Sequence, residues 1–467
     1  MSSEVFERSV ELPVSAEQAF AWHEREGALP RLTPPWEQIE LEKREGTISD
    51  GDRTTLRMRV GPTWQRWVAE HRDYQPGRCF RDVQISGPFT KWEHEHRFEP
   101  IDAQRCRMID RIEYVAPGGR IGQWLGHGAI ARKLAKTFAW RHRTLANDLH
   151  QQKRYADRSP LTVAMTGASG LVGSAMTTLL TTAGHRVRPM VRRATDDPQA
   201  IVWNTREGVV DPQQMADVDA VIHLAGESLM GRWTAKKKQA IRDSRVAGTQ
   251  ALVRSLERAE PRPRTLLSTS ALGFYGDRGD EPMDESKGPG EGFLVEVAQG
   301  WEAAAMQAET LGLRVALMRL GVVLTPRGAA LKTMLTPFRM GGGGVIGSGD
   351  QVMSWVSLDD VLGAFYHALM QDDVAGPVNV NAPNTVTNRV FTKTLGNVIH
   401  RPTFIPVPAA MIRTMMGEMG QEMLLSSTNM QPTRLTQTGY DFRDPQLEPA
   451  LRWMLGRGIP PRGEREG

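Results

Sequence analysis

Residues 163 to 173 read VAMTGASGLVG: a short apolar strand, then Thr166, Gly167, Ala168, Ser169, Gly170, Leu171, Val172 and Gly173, and then a helix. Glycines at this spacing suit a turn that must enter positive φ, let backbone approach a pyrophosphate, and bring the next helix close to its strand. The helix N-terminus then offers free N–H groups and the positive end of a dipole to phosphate. The flanks agree with that chemistry. Leu179 and Leu180 follow on a helix that should stop at Gly184, and a second strand runs from Arg186 to Val191. A bare glycine turn would not need these flanks, so the segment reads as a dinucleotide cradle.

Charge at the end of the second strand bears on which dinucleotide. An acid there would bind the ribose 2′-hydroxyl of NAD, whereas an arginine suits the 2′-phosphate of NADP. The strand ends in Val191, Arg192 and Arg193, with Asp196 and Asp197 only later in a loop. NADP(H) is therefore the expected cofactor, against the alternative of two solvated arginines at a strand end.

The chain that must position this turn has 467 residues, 40% hydrophobic and 24% charged, which is too long for one ordinary core. Net charge is only +4, with acidic and basic residues interleaved, so no nucleic-acid partner is expected. Cys79 and Cys106 have no CxxC spacing and imply neither a disulfide framework nor a zinc site. A reducing, cytoplasmic setting fits. No apolar run approaches the roughly 20 residues that span a bilayer, so no membrane partner is expected either.

Residues 1–150 read as an α+β unit. Val5 to Val14 alternates like a strand, and Ser15 with Gln18 forms a capping box ahead of a helix carrying Ala19, Phe20 and Trp22. Strand-like runs follow at 39–43, 53–60, 65–72, 79–86, 89–98 and 106–115. A long helix from Gly128 to Leu149 comes next, with Ile130, Leu134, Phe138, Leu145 and Leu149 as its apolar stripe. This order resembles the START-like helix-grip (SRPBCC) superfamily, which implies a curved antiparallel sheet gripping the last helix around a cavity for an apolar ligand. Trp92, His94, His96 and Phe98 share one strand face. No third ligand of suitable spacing accompanies the two histidines, so they read as cavity or surface residues and no metal is expected. Polar residues 151–160 read as a linker.

From Leu161 to the C-terminus at 467, strands and helices alternate as a doubly wound, Rossmann-like parallel sheet requires. TGASGLVG, VIHLAGE at 221–227, STSALGFYGD at 268–277 and WVSLDDV at 355–361 together resemble an extended short-chain dehydrogenase/reductase. LAGESLMGRW at 224–233, RLGVVL at 319–324 and GGGGVIGSGDQVMSWV at 341–356 narrow the resemblance to the epimerase-like family 39U of that superfamily. Residues 405–455 resemble that family's C-terminal segment, read here as part of a small substrate lobe. The resemblance implies that Leu224, Ala225 and Gly226 line the nicotinamide-ribose side of the groove.

Short-chain dehydrogenases usually ionise a tyrosine beside a lysine four residues on, assisted by a serine or threonine. Here the corresponding helix, GFLVEVAQGWEAAA at 292–305, puts Phe293 with Val297, or Leu294 with Ala298, where that pair should stand. Arg245 occupies the usual asparagine position. Ser270 stands where the family's hydroxyl is expected, and Tyr275 is the nearest phenol. Glu227, Arg232 and Arg245 add charge to the same crevice by motif context. They read as an unusual acid–base set, as an anion site, or as salt-bridged structural groups. The glycine run at 341–344, with Gly347 and Gly349, reads either as a hinged lid or as a plain connection. The expected activity is NADP(H)-dependent oxidoreduction or epimerase-like chemistry on a small organic substrate. The alternative is a non-catalytic NADP(H)-binding sensor. Nothing in the sequence sets the oligomeric state.

Overall fold

A computed structural model describes residues 3–458 other than 118, 207 and 210, without the side chains of 119–127, 212 and 329. The tail 459–467, assigned above to the second unit, lies outside the described residues. Among the described residues the chain divides into two compact units: 3–159 with 178–184 and 455–458, and 160–177 with 185–454. Among the described residues no helix is long and apolar enough to cross a membrane.

The first unit opens with strand β1 (Glu4–Leu12), helix α1 (Ala16–Glu24) and the short helix α2 (Ala28–Arg31). The capping box forms as the sequence requires: Gln18 N–H donates to Ser15 Oγ at 3.3 Å, and Ser15 N–H to Gln18 Oε1 at 3.2 Å. Then follow β2 (Ile39–Glu45), β3 (Arg53–Val60), β4 (Thr63–Gln75), β5 (Cys79–Ser86), β6 (Lys91–Asp102), β7 (Arg105–Val115) and helix α3 (Gly119–Lys153). All seven strands form one antiparallel sheet in the order β1-β7-β6-β5-β4-β3-β2. Period-two patterning turns Cys106, Met108, Asp110, Ile112 and Tyr114 of β7 inward. Phe20, Trp22, Phe80 and Phe98 pack with Leu145 and Leu149 of α3, and burying each such side chain contributes roughly 1.5–3 kcal/mol. On the expected stripe, Leu134, Phe138, Leu145 and Leu149 are buried and Ile130 is half-buried. Helix α3 runs on to Lys153, so the first residues of the polar segment read as a linker are helical.

The second unit begins with β8 (Thr162–Thr166), the first half of α4 (Leu171–Thr182, of which 178–182 group with the first unit) and β9 (Arg186–Val191). Next come β10 (Ile201–Asn204), β11 (Gly208–Val209), β12 (Ala220–His223), α5 (Ala235–Arg258), β13 (Thr265–Ala271), β14 (Pro282–Met283), α6 (Phe293–Met306) and β15 (Arg314–Leu320). The main sheet has the order β11-β10-β9-β8-β12-β13-β15 followed by Gly376–Val380, parallel except for the β10–β11 pair. The chain order reverses at β8, so the crevice between the carboxyl ends of β8 and β12 is the topological switch point where open α/β sheets bind ligands. Strands β8, β12, β13 and β15 are almost wholly buried, as a sheet covered on both faces demands.

Candidate functional site

The glycine turn lies at this switch point. Thr166, the last residue of β8, pairs laterally with Met190 of β9 and His223 of β12. Gly167 has φ +68°, and a Cβ there would stand 3.0 Å from the Leu224 carbonyl carbon and 3.1 Å from Ala225 N. A Cβ at Gly173 would overlap the Gly167 carbonyl outright. The turn therefore folds back on the start of α4 and leaves room only for backbone, which is the closeness a pyrophosphate needs. Thr166 Oγ1 locks the opposite wall by accepting from Leu224 N at 3.1 Å and Ala225 N at 3.2 Å. His223 is buried with Nδ1 2.7 Å from Thr166 Oγ1 and Nε2 3.0 Å from Thr249 Oγ1, and burial lowers its pKa to about 4. The imidazole is thus a neutral structural pin beneath the crevice.

Arg192 and Arg193 are exposed just beyond β9, on the flank of the turn. Across the crevice, Lys237 donates to Glu227 Oε1 at 2.6 Å and holds that carboxyl below its usual range, with Arg245 and Arg192 adding smaller effects. Arg245 donates to the Glu227 carbonyl at 3.0 Å, and its guanidinium lies over the Trp301 ring. A Cβ at Gly226 would come within 3.2 Å of that guanidinium, so glycine is what admits Arg245 to this place. Glu227 and Arg245 are therefore neighbours, while Arg232 is exposed on the loop before α5.

Ser270 and Tyr275 belong to a different setting. Ser270 Oγ donates to Glu302 Oε1 at 2.6 Å, and Glu302 is held by Arg319 through bonds of 2.8 and 2.7 Å. Arg319 also donates to the Tyr275 hydroxyl at 2.9 Å, which itself lies 2.8 Å from Asn379 Oδ1 and 3.0 Å from the Asp284 carbonyl. All of Ser270, Tyr275, Glu302, Arg319 and Asn379 are buried, and burial pushes the Tyr275 phenol up rather than down. Sequence reasoning gives no role to Glu302, Arg319 or Asn379, which are distant in the chain; Arg319 opens the RLGVVL run at 319–324, but that run carries only the family resemblance.

The face of α6 that would carry a tyrosine and lysine is closed. Phe293, Val297 and Ala298 are buried, the first two in a cluster with Ile241 of α5. Glu422 caps the helix, accepting from Phe293 N at 3.0 Å and Leu294 N at 2.9 Å. The glycine run is likewise tied down: Gly347 N donates to Val407 O at 2.9 Å, and Val407 N to Val345 O at 2.8 Å. A Cβ at Gly344 would overlap the Ile405 carbonyl.

In the first unit, a cavity of about 120 Å³ opens between sheet and helices. Leu32, Ile48 and Phe80 form apolar wall, as the helix-grip resemblance implies, but His23, His71, Asp82, His96 and Arg141 bring strong polarity to it. His96, read from the sequence as a cavity or surface residue, is among the lining residues. The third candidate ligand that local spacing did not offer comes from the neighbouring strand: Asp82 of β5 pairs in register with His94 of β6.

Comparisons agree with this architecture. Residues 163–382 match the NAD dependent epimerase/dehydratase family, 407–454 a domain of unknown function (DUF1731), and 3–149 the polyketide cyclase/dehydrase and lipid transport family. Epimerase family protein Mb2239 of Mycobacterium bovis is 39% identical over 296 residues, 63% of this chain and 98% of that protein. Human epimerase family protein SDR39U1 is 33% identical over 297 residues, 63% of this chain and 99% of that protein. Among solved structures, a nucleoside-diphosphate sugar epimerase from Corynebacterium glutamicum superposes with TM-score 0.80 at 31% identity, covering 97% of this chain and 90% of that one. Human SDR39U1 isoform 2, solved with NADPH, gives TM-score 0.57 at 31% identity over 63% of this chain and 99% of that one. The chain belongs to the SDR39U1-like epimerase family, with a Rossmann-like NAD(P)-type fold, a C-terminal DUF1731 segment and an N-terminal SRPBCC unit.

Proposed function

We propose that the second unit binds NADP(H) at the switch point and acts as an oxidoreductase or epimerase-like enzyme on a small organic substrate. The observation that carries this reading is the turn at Gly167 and Gly173, where only backbone fits. When bound, the nicotinamide supplies a hydride donor or acceptor. Backbone of Gly167, Ala168, Ser169, Leu171, Val172 and Gly173 faces the pyrophosphate, and Gly170 N–H closes the turn by donating to Gly167 O at 2.9 Å. Arg192 and Arg193 pair with the 2′-phosphate, and Leu224, Ala225 and Gly226 wall the ribose. Glu227 and Arg245 are the charged pair at the crevice, with Lys237 keeping Glu227 ionised; they orient an anionic or hydroxyl-bearing substrate and handle its proton. Ser270 and Tyr275 position the end of β13 through the Glu302–Arg319 network. The first unit binds a small ligand with an apolar body and a polar end.

A sensor that binds NADP(H) without turnover is the second reading, favoured by the closed apolar face of α6. Titration of the full chain with NADPH and NADH, read by tryptophan quenching and energy transfer to the nicotinamide, tests the shared premise. NADPH binding at least about tenfold tighter than NADH supports it. Equal affinity overturns the arginine assignment, and no binding of either overturns both readings. NADPH oxidation across a carbonyl panel then separates enzyme from sensor.

A further inference from the structure

We propose that the first unit carries a metal site: a divalent first-row transition ion of the zinc or ferrous class held by Asp82, His94 and His96 at the wall of the cavity. The three side chains reach one place from two strands. Register sets Asp82 opposite His94, and period-two alternation puts His96 on the same face. Their donor atoms all lie within 4.8 Å of one another. Asp82 Oδ2 is 3.8 Å from His94 Nδ1 and 3.5 Å from His96 Nε2. Both separations are long for direct hydrogen bonds. They are close to the roughly 3.4 Å between donors that each stand about 2.1 Å from one tetrahedral ion.

The surroundings are those of a ligand set rather than of a self-satisfied polar cluster. Asp110 is buried at 1% exposure, and its Oδ1 stands 2.8 Å from His94 Nε2 and 2.8 Å from His96 Nδ1, the ring nitrogens turned away from Asp82. The hydrogen bond from Asp110 to the far nitrogen of His94 is the usual outer-shell support of a metal-bound imidazole, whereas His96 Nδ1, as near to Asp110, has no well-aligned hydrogen bond. His142 Nε2 holds the other Asp110 oxygen at 2.6 Å. His71 Nδ1 and Asp82 Oδ1 approach to 2.7 Å, yet both are buried without a well-aligned hydrogen bond. His23, 6% exposed, also leaves Nε2 unpartnered on the cavity wall. Buried polar atoms in this state ordinarily have an explanation; none of these is itself one of the three proposed donors, and a water or ligand oxygen completing the ion's shell would be their partner.

Two imidazoles and one carboxylate suit zinc, ferrous iron or cobalt; calcium and magnesium prefer all-oxygen shells. Three protein ligands leave coordination positions open, and Asp82 and His96 line the cavity. An oxygen donor on a small cavity ligand, or water, completes the shell.

The test uses the full chain stripped with chelator and titrated with Co²⁺, reading ligand-field absorption, then back-titrated with Zn²⁺. The expected result is one equivalent of cobalt per chain, displaced by zinc. Asp82→Asn should lower cobalt affinity at least about 100-fold, and Asp110→Asn about 10–100-fold. Cys79→Ser should retain the band. Absence of stoichiometric uptake, undiminished affinity in Asp82→Asn, or loss of the band in Cys79→Ser would overturn the proposal. If Asp82→Asn does not melt cooperatively, zinc-edge X-ray absorption of the wild-type chain decides: about two imidazoles and no sulfur are expected, and sulfur or no imidazole refutes the site.

Discussion

Ser270 donates its hydroxyl to Glu302 Oε1 at 2.6 Å, inside a buried pair that Glu302 makes with Arg319. A serine so engaged stabilises the fold at the carboxyl end of β13. Ser270→Ala is expected to cost about 1–3 kcal/mol and leave NADPH affinity unchanged. Glu302→Ala, which strands a buried guanidinium, should cost about 3–5 kcal/mol. Denaturant unfolding and NADPH titration of both variants check this, and a stable Ser270→Ala that has lost turnover alone would return Ser270 to the chemistry.

In the proposed reading the two arginines beyond β9 pair with the 2′-phosphate and set a preference for NADP(H). Each charge-assisted bond to a phosphate contributes about 1.5–3 kcal/mol, so Arg192→Ala with Arg193→Ala should weaken NADPH by about 100-fold or more. NADH binding should hardly change, and wild-type NADPH affinity should fall with added salt. Parallel losses for both cofactors would remove the arginines from cofactor choice.

At Gly173 a single methyl group meets the Gly167 carbonyl. Gly173→Ala improves helix propensity by about 1 kcal/mol, yet it should abolish dinucleotide binding because the turn must open. Isothermal titration of NADPH into the variant measures this, and retained affinity would mean that the turn is not the cradle.

His223 gives the second unit an acid-sensitive floor. Its pKa in the fold is about 4 against 6.5 unfolded, so between those values the unfolded chain binds the extra proton. The contribution is complete above pH 6.5 and is lost as pH falls toward 4, on the order of 3 kcal/mol in all. Relative to His223→Gln, wild type should lose stability over that window and no faster outside it. Melting temperatures at matched pH values report the difference.

Local signals carried most of the fold. The Ser15–Gln18 box, the strand from Arg186 to Val191 and the glycine turn each depend on neighbours within a few residues, and each forms. The short strands Ile201–Asn204 and Gly208–Val209 escaped, because pairing at a sheet edge leaves little periodicity in so few residues. Of the candidate site, local spacing located the glycine turn after β8 and the arginines beyond β9. It did not locate Glu302, Arg319 and Asn379, since three separate elements bring them together. Asp82 escaped for the same reason: His94 meets it through strand register, which the linear order of residues does not display.

The Glu422 cap on α6 means that the absent tyrosine–lysine motif is not a gap waiting to be refilled. Writing Phe293→Tyr and Val297→Lys into the chain would drive an ammonium group into the packing against Ile241, while the helix start stays sealed by a carboxylate from the C-terminal segment. Restoring the ordinary pair would therefore require rebuilding the packing against α5 and the C-terminal segment that supplies Glu422, beyond the two positions themselves.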